Sequence, residues 1–251
     1  MARSGSDGRP SVEESDVTSH EVPDRQFPRG AGDAPEVPPA SSASVILLRG
    51  SPLEVLMIRR HSKASFVPDA WVFPGGMVEA NDRELGDGTD LGTMRVAAAR
   101  ELFEESGIWL GSPLASAVAK RRALLENRTT FATLTREAPL DLDALVWTSR
   151  WITPIGLPKR FDTYFFLAIA GSDAVATTDD GEDGEAVEVR WITPSAAIET
   201  LQIVFPTMKN LEAITGFDTA EELLASRRGV DVPTTCPVLV IDDGRKKIIL
   251  P

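Results

Sequence analysis

The chain has 251 residues, 42% of them apolar, with five Trp and ten Phe, enough for one sizeable hydrophobic core. Its 26 Lys plus Arg against 38 Asp plus Glu give a formal net charge of -12. That balance argues against nucleic acid as a partner, because nothing overall attracts a polyanion, but a small anionic substrate remains open if a divalent cation and local arginines reverse the sign.

Cys236 is the lone cysteine, so no intrachain disulfide and no cysteine-rich zinc site can form. The longest apolar stretches, such as Tyr164–Ala170, fall far short of the roughly 20 residues a bilayer span needs. The N-terminus has no apolar signal-peptide region and too many acids for a mitochondrial presequence, and the final Ile-Ile-Leu-Pro is no recognisable address. A cytoplasmic protein, not bound to membrane, is the expectation.

Residues 1–42 hold six of the 18 prolines and almost no large apolar side chains. Such a segment buries too little surface to offset its chain entropy, so it is expected to be a disordered tail before a single domain at 43–251. Strands are expected at Ser44–Leu48 and Leu53–Ile58, with Arg49–Pro52 as the turn between them. Trp71–Phe73 is a third extended piece that runs into Pro74-Gly75-Gly76, which breaks regular structure. Thr93–Ser106 reads as a helix closed by Gly107, and Pro113–Glu126 as a second, capped by Ser112. Ala144–Ile152, Asp162–Ile169 and Ala186–Ile192 read as strands, with Asp179–Glu185 an acidic turn before the last. Thr193 caps a helix that starts at Pro194. Met208–Thr215 and Thr219–Arg227 are expected helices, and Val238–Ile241 and Lys247–Leu250 terminal strands. Trp-Ile-Thr-Pro stands at 151–154 and again at 191–194, where each copy is expected to end a strand with its Trp in the core. Strands and helices mixed in this order predict a layered α/β domain.

The chemistry concentrates in Arg100-Glu101-Leu102-Phe103-Glu104-Glu105-Ser106-Gly107-Ile108. At about 100° per residue, Glu101, Glu104 and Glu105 share an arc of roughly 100° on one helix face. Val96, Ala99, Leu102 and Phe103 fall outside that arc and can be buried. Three carboxylates so close repel one another unless a cation sits among them, and hard oxygen ligands suit Mg²⁺ or Mn²⁺. Arg100 stands at the right interval to pair with Glu104 and hold it in place. An exposed acidic helix face is the plain alternative. The abrupt helix end at Gly107 and the preceding Phe73-Pro74-Gly75-Gly76 loop favour a site.

Residues 100–108 match the second half of the Nudix box position for position, so the chain resembles the Nudix hydrolase family. Gly76 matches the opening glycine of the box, and Asp82 stands where the pattern has Glu. The box has seven residues before its Arg, whereas here 17 intervene (83–99), a ten-residue insertion expected as loop within Arg83–Gly92. Ser44–Gly76, Trp151–Ala168 and Trp191–Arg227 resemble the branch that includes the peroxisomal coenzyme A diphosphatases.

That resemblance implies an α/β/α sandwich with a mixed sheet, and attack of water on a diphosphate in a nucleoside-diphosphate-linked substrate. It implies metal ligands at Glu101, Glu104 and Glu105, with the Gly75 carbonyl a further candidate, and Mg²⁺ or Mn²⁺ as cofactor. The general base would be one of the helix glutamates or one of Glu182, Glu185 and Glu188. Arg59, Arg60, Gly76 and Arg160 are the candidate substrate-binding residues, with Lys63 and Lys159 as basic neighbours. Coenzyme A or an acyl-coenzyme A is the first expected substrate. Rivals are ADP-ribose, NADH, dinucleoside polyphosphates, and a catalytically silent nucleotide-binding module. A homodimer is left open, and His20 and His61 are given no role.

Overall fold

The structure, a computed structural model, describes residues 19–23, 27, 31–32, 35–64, 67–172, 174–178, 186–243 and 245–250. The expected acidic turn at 179–185, with Glu182 and Glu185, lies outside them.

The central element is β2 (Ala40–Arg49), which starts earlier than the sequence suggests. On one side it pairs in parallel with β7 (Phe161–Ile169) along nine residues, from Ala40↔Phe161 to Leu48↔Ile169. On the other it pairs antiparallel with β5 (Gly75–Met77) and, further on, β3 (Glu54–Arg60). The sheet continues through β4 (Trp71–Val72) and β8 (Ala186–Ile192) beside β3, and through β6 (Val146–Ile152) and β9 (Thr234–Thr235) beyond β7. It is a mixed, eight-stranded sheet, as the resemblance implies.

Val45, Ile46, Leu47 and Leu48 are all fully buried because both sheet faces are covered. Val45 and Leu47 pack with Phe166 and Ala168 against α2 (Asp90–Ser106). Ile46 and Leu48 pack with Phe165 and Leu167 against α5 (Pro194–Thr200), α6 (Phe205–Ile214) and α7 (Ala220–Arg227). This is the expected α/β/α sandwich. Both Trp-Ile-Thr-Pro copies end strands, β6 and β8, and Thr193 caps α5 as expected.

Several local expectations change. Gly75–Met77 does not simply break structure but adds a strand to β2. A Cβ on Gly75 would lie 2.5 Å from the Ala43 carbonyl, so this close approach requires glycine. The inserted segment is not all loop. It is flanked and partly filled by α1 (Ala80–Leu85), started by a capping box between Glu79 and Asp82, and by the first turn of α2, capped by Thr89. The helix expected from Pro113 begins at Ala117 instead, giving α3 (Ala117–Leu125). The chain before it is diverted: Gly111 bridges Leu140, and the Ser112 N–H binds the Pro139 carbonyl. A short α4 (Phe131–Glu137), capped by Thr130, escaped the sequence reading. Its Phe131 and Leu134 pack on Phe103 and Trp109.

Within the segment expected as a tail, β1 (Ser19–Glu21) pairs with β11 (Arg245–Ile249), which pairs in turn with β10 (Val238–Asp242). Val22 is buried with Ile248 and Phe205. No described helix is long and apolar enough to cross a membrane.

Deleting residues 1–37 would remove β1, Val22 and the Val37 carbonyl that accepts from Arg160. The thermal unfolding midpoint, read by circular dichroism, should fall by several degrees, each lost kcal/mol lowering it by roughly 2–4 °C at this size. An unchanged midpoint would show that this segment contributes nothing to the core.

Candidate active site

The last turns of α2 bring the acids together. Leu102 and Phe103 are fully buried and fix the helix rotation, which sets Glu101, Glu104 and Glu105 along the rim of a cleft. Gly107, at φ 75°, ends the helix with its N–H on the Phe103 carbonyl. The cleft has a volume of about 1150 Å³.

Arg100 organises the turn and is only 3% exposed. Its Nε and Nη2 donate to the two oxygens of Asp82, each at 3.0 Å. Nη2 also donates to the Met77 carbonyl at 2.8 Å. Nη1 donates to Glu101 Oε1 and Glu104 Oε2, both at 2.9 Å. Burial acts to lower the Arg100 pKa, but the Asp82 hydrogen bond and the charges of Glu101, Asp82 and Glu104 outweigh it and raise it. Asp82 itself is 1% exposed and accepts from the Glu79 N–H through Oδ2 at 2.8 Å. The shorter acid at the box position therefore still reaches Arg100, carried there by α1.

The glycines fit against the acids. The Gly75 N–H donates to Glu105 Oε2 at 2.7 Å. A Cβ on Gly76 would sit 2.4 Å from Glu101 Oε1, so its absence leaves the carboxylate room. For Glu104, burial raises the carboxyl pKa, and the Arg100 charge and hydrogen bond offset only part of that.

Arg60 lines the cleft, and its buried Nε has no hydrogen-bond partner, which leaves a donor for an anion. Arg59 is not among the lining residues. Its Nε contacts Glu188 at 3.2 Å in an ion pair without hydrogen-bond geometry, and Nη1 stands 3.5 Å from Asp69. The expected substrate role of Arg59 is thus not what its position suggests: it joins β3 to β8. Glu188 is held by Arg59 and Arg190, away from the cleft. Arg160 lies in the cleft wall, with Nε on the Thr153 carbonyl and Nη1 on the Val37 carbonyl, so it ties strands together there. Lys159 lines the cleft beside it. His61 accepts the Lys63 N–H.

Arg121 escaped the sequence reading. It is buried on α3, 6% exposed, and lines the cleft. Its Nε donates to the Glu104 carbonyl at 2.9 Å and Nη1 to the Thr177 carbonyl at 2.9 Å. The last turn of α2 has no basic residue of its own. Arg121 supplies that charge from another helix, where it favours the negative helix end. Only the fold reveals this, since 17 residues separate Arg121 from Glu104.

Among the described residues no three His, Cys, Asp or Glu side chains are gathered so as to hold an ion, and Glu101 and Glu104 both accept from Arg100 Nη1. The donor chemistry nevertheless fits a hard divalent cation. Three carboxylates occupy one helical turn, beside a glycine backbone that a side chain would obstruct.

A family model described as the NUDIX domain matches residues 38–211. A Caenorhabditis elegans protein that bears the name nudix hydrolase 7 is 34% identical over 166 residues, covering 63% of this chain and 53% of its own length. A Xenopus laevis protein named acyl-coenzyme A diphosphatase is 28% identical over 211 residues, covering 59% of this chain and 55% of its own. The chain thus spans little more than half the length of these relatives. The crystal structure of a NUDIX hydrolase from Alicyclobacillus acidocaldarius superimposes with a TM-score of 0.64 at 24% identity, covering 75% of this chain and 96% of that one, which establishes the shared fold.

Two stability predictions follow from the acid cluster. Asp82→Asn removes the most deeply buried of the counter-charges of Arg100, with Glu101 and Glu104 remaining, and should destabilise the protein by about 1–3 kcal/mol in urea unfolding. A loss below about 1 kcal/mol would show that Arg100 does not depend on Asp82. Glu104→Gln should leave stability at neutral pH equal or higher. A carboxyl whose folded pKa is raised penalises the folded state above that pKa, and the penalty vanishes below the unfolded value. The advantage of the Gln variant should therefore shrink as pH falls through the carboxylate range. Denaturation midpoints measured across pH check this, and an advantage that grows on acidification would refute it.

Proposed function

Since the chain belongs to the NUDIX domain family, we propose that it is a divalent-metal-dependent diphosphatase acting on a nucleoside diphosphate joined to a second moiety. The observation that carries this reading is one buried guanidinium, Arg100, aligning Glu101 and Glu104 beside Gly75 and Gly76 on the rim of a large cleft.

Glu101, Glu104, Glu105 and the Gly75 carbonyl would hold Mg²⁺ or Mn²⁺. When bound, such an ion polarises a phosphoryl oxygen and makes water a better nucleophile at neutral pH. The protein's own groups do the rest. Arg100 keeps two carboxylates in register, and the Gly75 N–H fixes the third. Arg60 offers its unpartnered Nε to a phosphate oxygen. Of the candidate bases, Glu188 is committed elsewhere, and an acid of the α2 turn would take the proton from the attacking water.

Coenzyme A or an acyl-coenzyme A is the first substrate to try, because a relative at 28% identity carries the name acyl-coenzyme A diphosphatase. ADP-ribose, NADH and dinucleoside polyphosphates complete the panel. A silent nucleotide-binding module is the competing reading, and the intact set of Glu101, Glu104 and Glu105 speaks against it.

Product analysis of this panel by mass spectrometry, with and without Mg²⁺ or Mn²⁺, should show metal-dependent cleavage of a diphosphate. Glu104→Gln and Glu105→Gln should each lower turnover by at least about 10²-fold with the fold retained. Near-normal rates in both variants, or no metal-dependent turnover of any compound, would overturn the reading.

A further inference from the structure

The cleft has a second polar feature, one that the acid turn does not explain. It lies at the start of α6, where Val204, Phe205, Pro206 and Thr207 all line the cleft. α2 packs with Val45 and Leu47 on one face of the sheet, and α6 packs with Ile46 and Leu48 on the other. The same cavity therefore reaches both helices, and a group held at α6 is separate from one held by Glu101, Glu104 and Glu105.

The first turn of α6 is open to a ligand. Its N-cap is Val204, whose side chain has no acceptor, and no side-chain hydrogen bond closes the turn. Phe205 and Thr207, at the first and third helical positions, have no intrahelical acceptor for their N–H groups, and Pro206 between them has no N–H. The turn is held in place from behind. Asn210 Nδ2 donates to the Pro206 carbonyl at 2.9 Å, and Asn210 Oδ1 accepts from Ser149 of β6 at 2.6 Å. Thr207 is only 3% exposed and lines the cleft, yet its hydroxyl has no hydrogen-bond partner among the described residues. A buried hydroxyl left unpaired is unfavourable, and valine would fill the same volume without that cost. The hydroxyl makes sense where a ligand oxygen completes it. Lys159 lines the same cleft, and Lys209 sets its ammonium 5.7 Å from the Phe205 ring centroid, so cations stand near this turn in an otherwise acidic chain.

We infer that the N-terminus of α6 is a second anion subsite, which takes a phosphoryl group through the Phe205 and Thr207 N–H groups and the Thr207 hydroxyl, without a metal ion. The helix dipole favours negative charge at this end, and its N–H groups point at whatever occupies it. A phosphoryl group suits three donors because it brings three strong acceptor oxygens, where a carboxylate brings two. The group comes either from a substrate that also reaches α2 or from free phosphate. The subsite does not depend on the diphosphatase reading.

The test uses the full chain in EDTA with inorganic phosphate as probe, its Kd read by phosphorus NMR titration. Saturable binding is expected. Thr207→Val should weaken it by at least about 10-fold, and Thr207→Ser should restore it to within about 2-fold. Val204→Asp places a capping carboxylate where the phosphate would sit, so it should abolish binding while the thermal midpoint holds or rises. No saturable binding in the unaltered protein, or a Kd unchanged in both Thr207→Val and Val204→Asp, would overturn the subsite. Acetate bound as tightly as phosphate would overturn the assignment to a phosphoryl group. With any compound the chain hydrolyses, added phosphate that raises only KM identifies a phosphoryl group of the substrate as the occupant, and phosphate that lowers only kcat identifies free phosphate. Phosphate binding with no turnover of any compound would sink the diphosphatase reading and leave the subsite standing.

Discussion

A single guanidinium, buried among three acids and a carbonyl, sets the geometry of everything around it. Arg100 reaches Asp82 with two donors, Glu101 and Glu104 with a third group, and the Met77 carbonyl besides. Through Asp82 it fixes α1, through Met77 it fixes β5, and through the glutamates it fixes the acid turn. A buried charge is tolerated only if its partners are near and well placed, so these elements constrain one another. The result is a cluster of negative charge held short of mutual repulsion by one residue.

The sequence announces the chemistry better than the architecture around it. The acid arc, its Arg100 partner and the Gly107 stop are local, governed by helix periodicity and capping, and the structure shows each of them. The strands at 146–152 and 186–192 and the Thr193-Pro194 helix start were legible for the same reason. What escaped depends on tertiary contact. Ser112 followed by proline is a sound helix start, yet the Pro139 carbonyl claims the Ser112 N–H, and α3 begins at Ala117. Gly75 and Gly76 read as a loop because strand pairing with Ser44 and Ala43 is invisible in a local window. Arg59 and Arg60 are adjacent and indistinguishable in sequence, but alternation along β3 sends one to Glu188 and leaves the other in the cleft.

Segments on either side of the matched residues 38–211 also reach the cleft. Before the acid helix, the capped α1 carries Asp82 to Arg100. The terminal segments contribute Val22, Phe27 and Ile248 to the cleft lining, around a core sandwich shared with a solved structure.

The parallel pairing of β2 with β7 carries a kinetic consequence. Ser42 meets Thr163 across 121 positions of chain, so the floor of the cleft cannot exist until the chain has closed a very long loop. Contacts of such separation slow folding, and during synthesis β2 must wait, an apolar edge without its neighbour, until residue 169 has emerged. The serine-rich start of β2 and the charged Arg49 at its end keep that waiting edge from being uniformly greasy. Refolding of this protein should therefore favour dilute conditions, with the cleft among the last features to form.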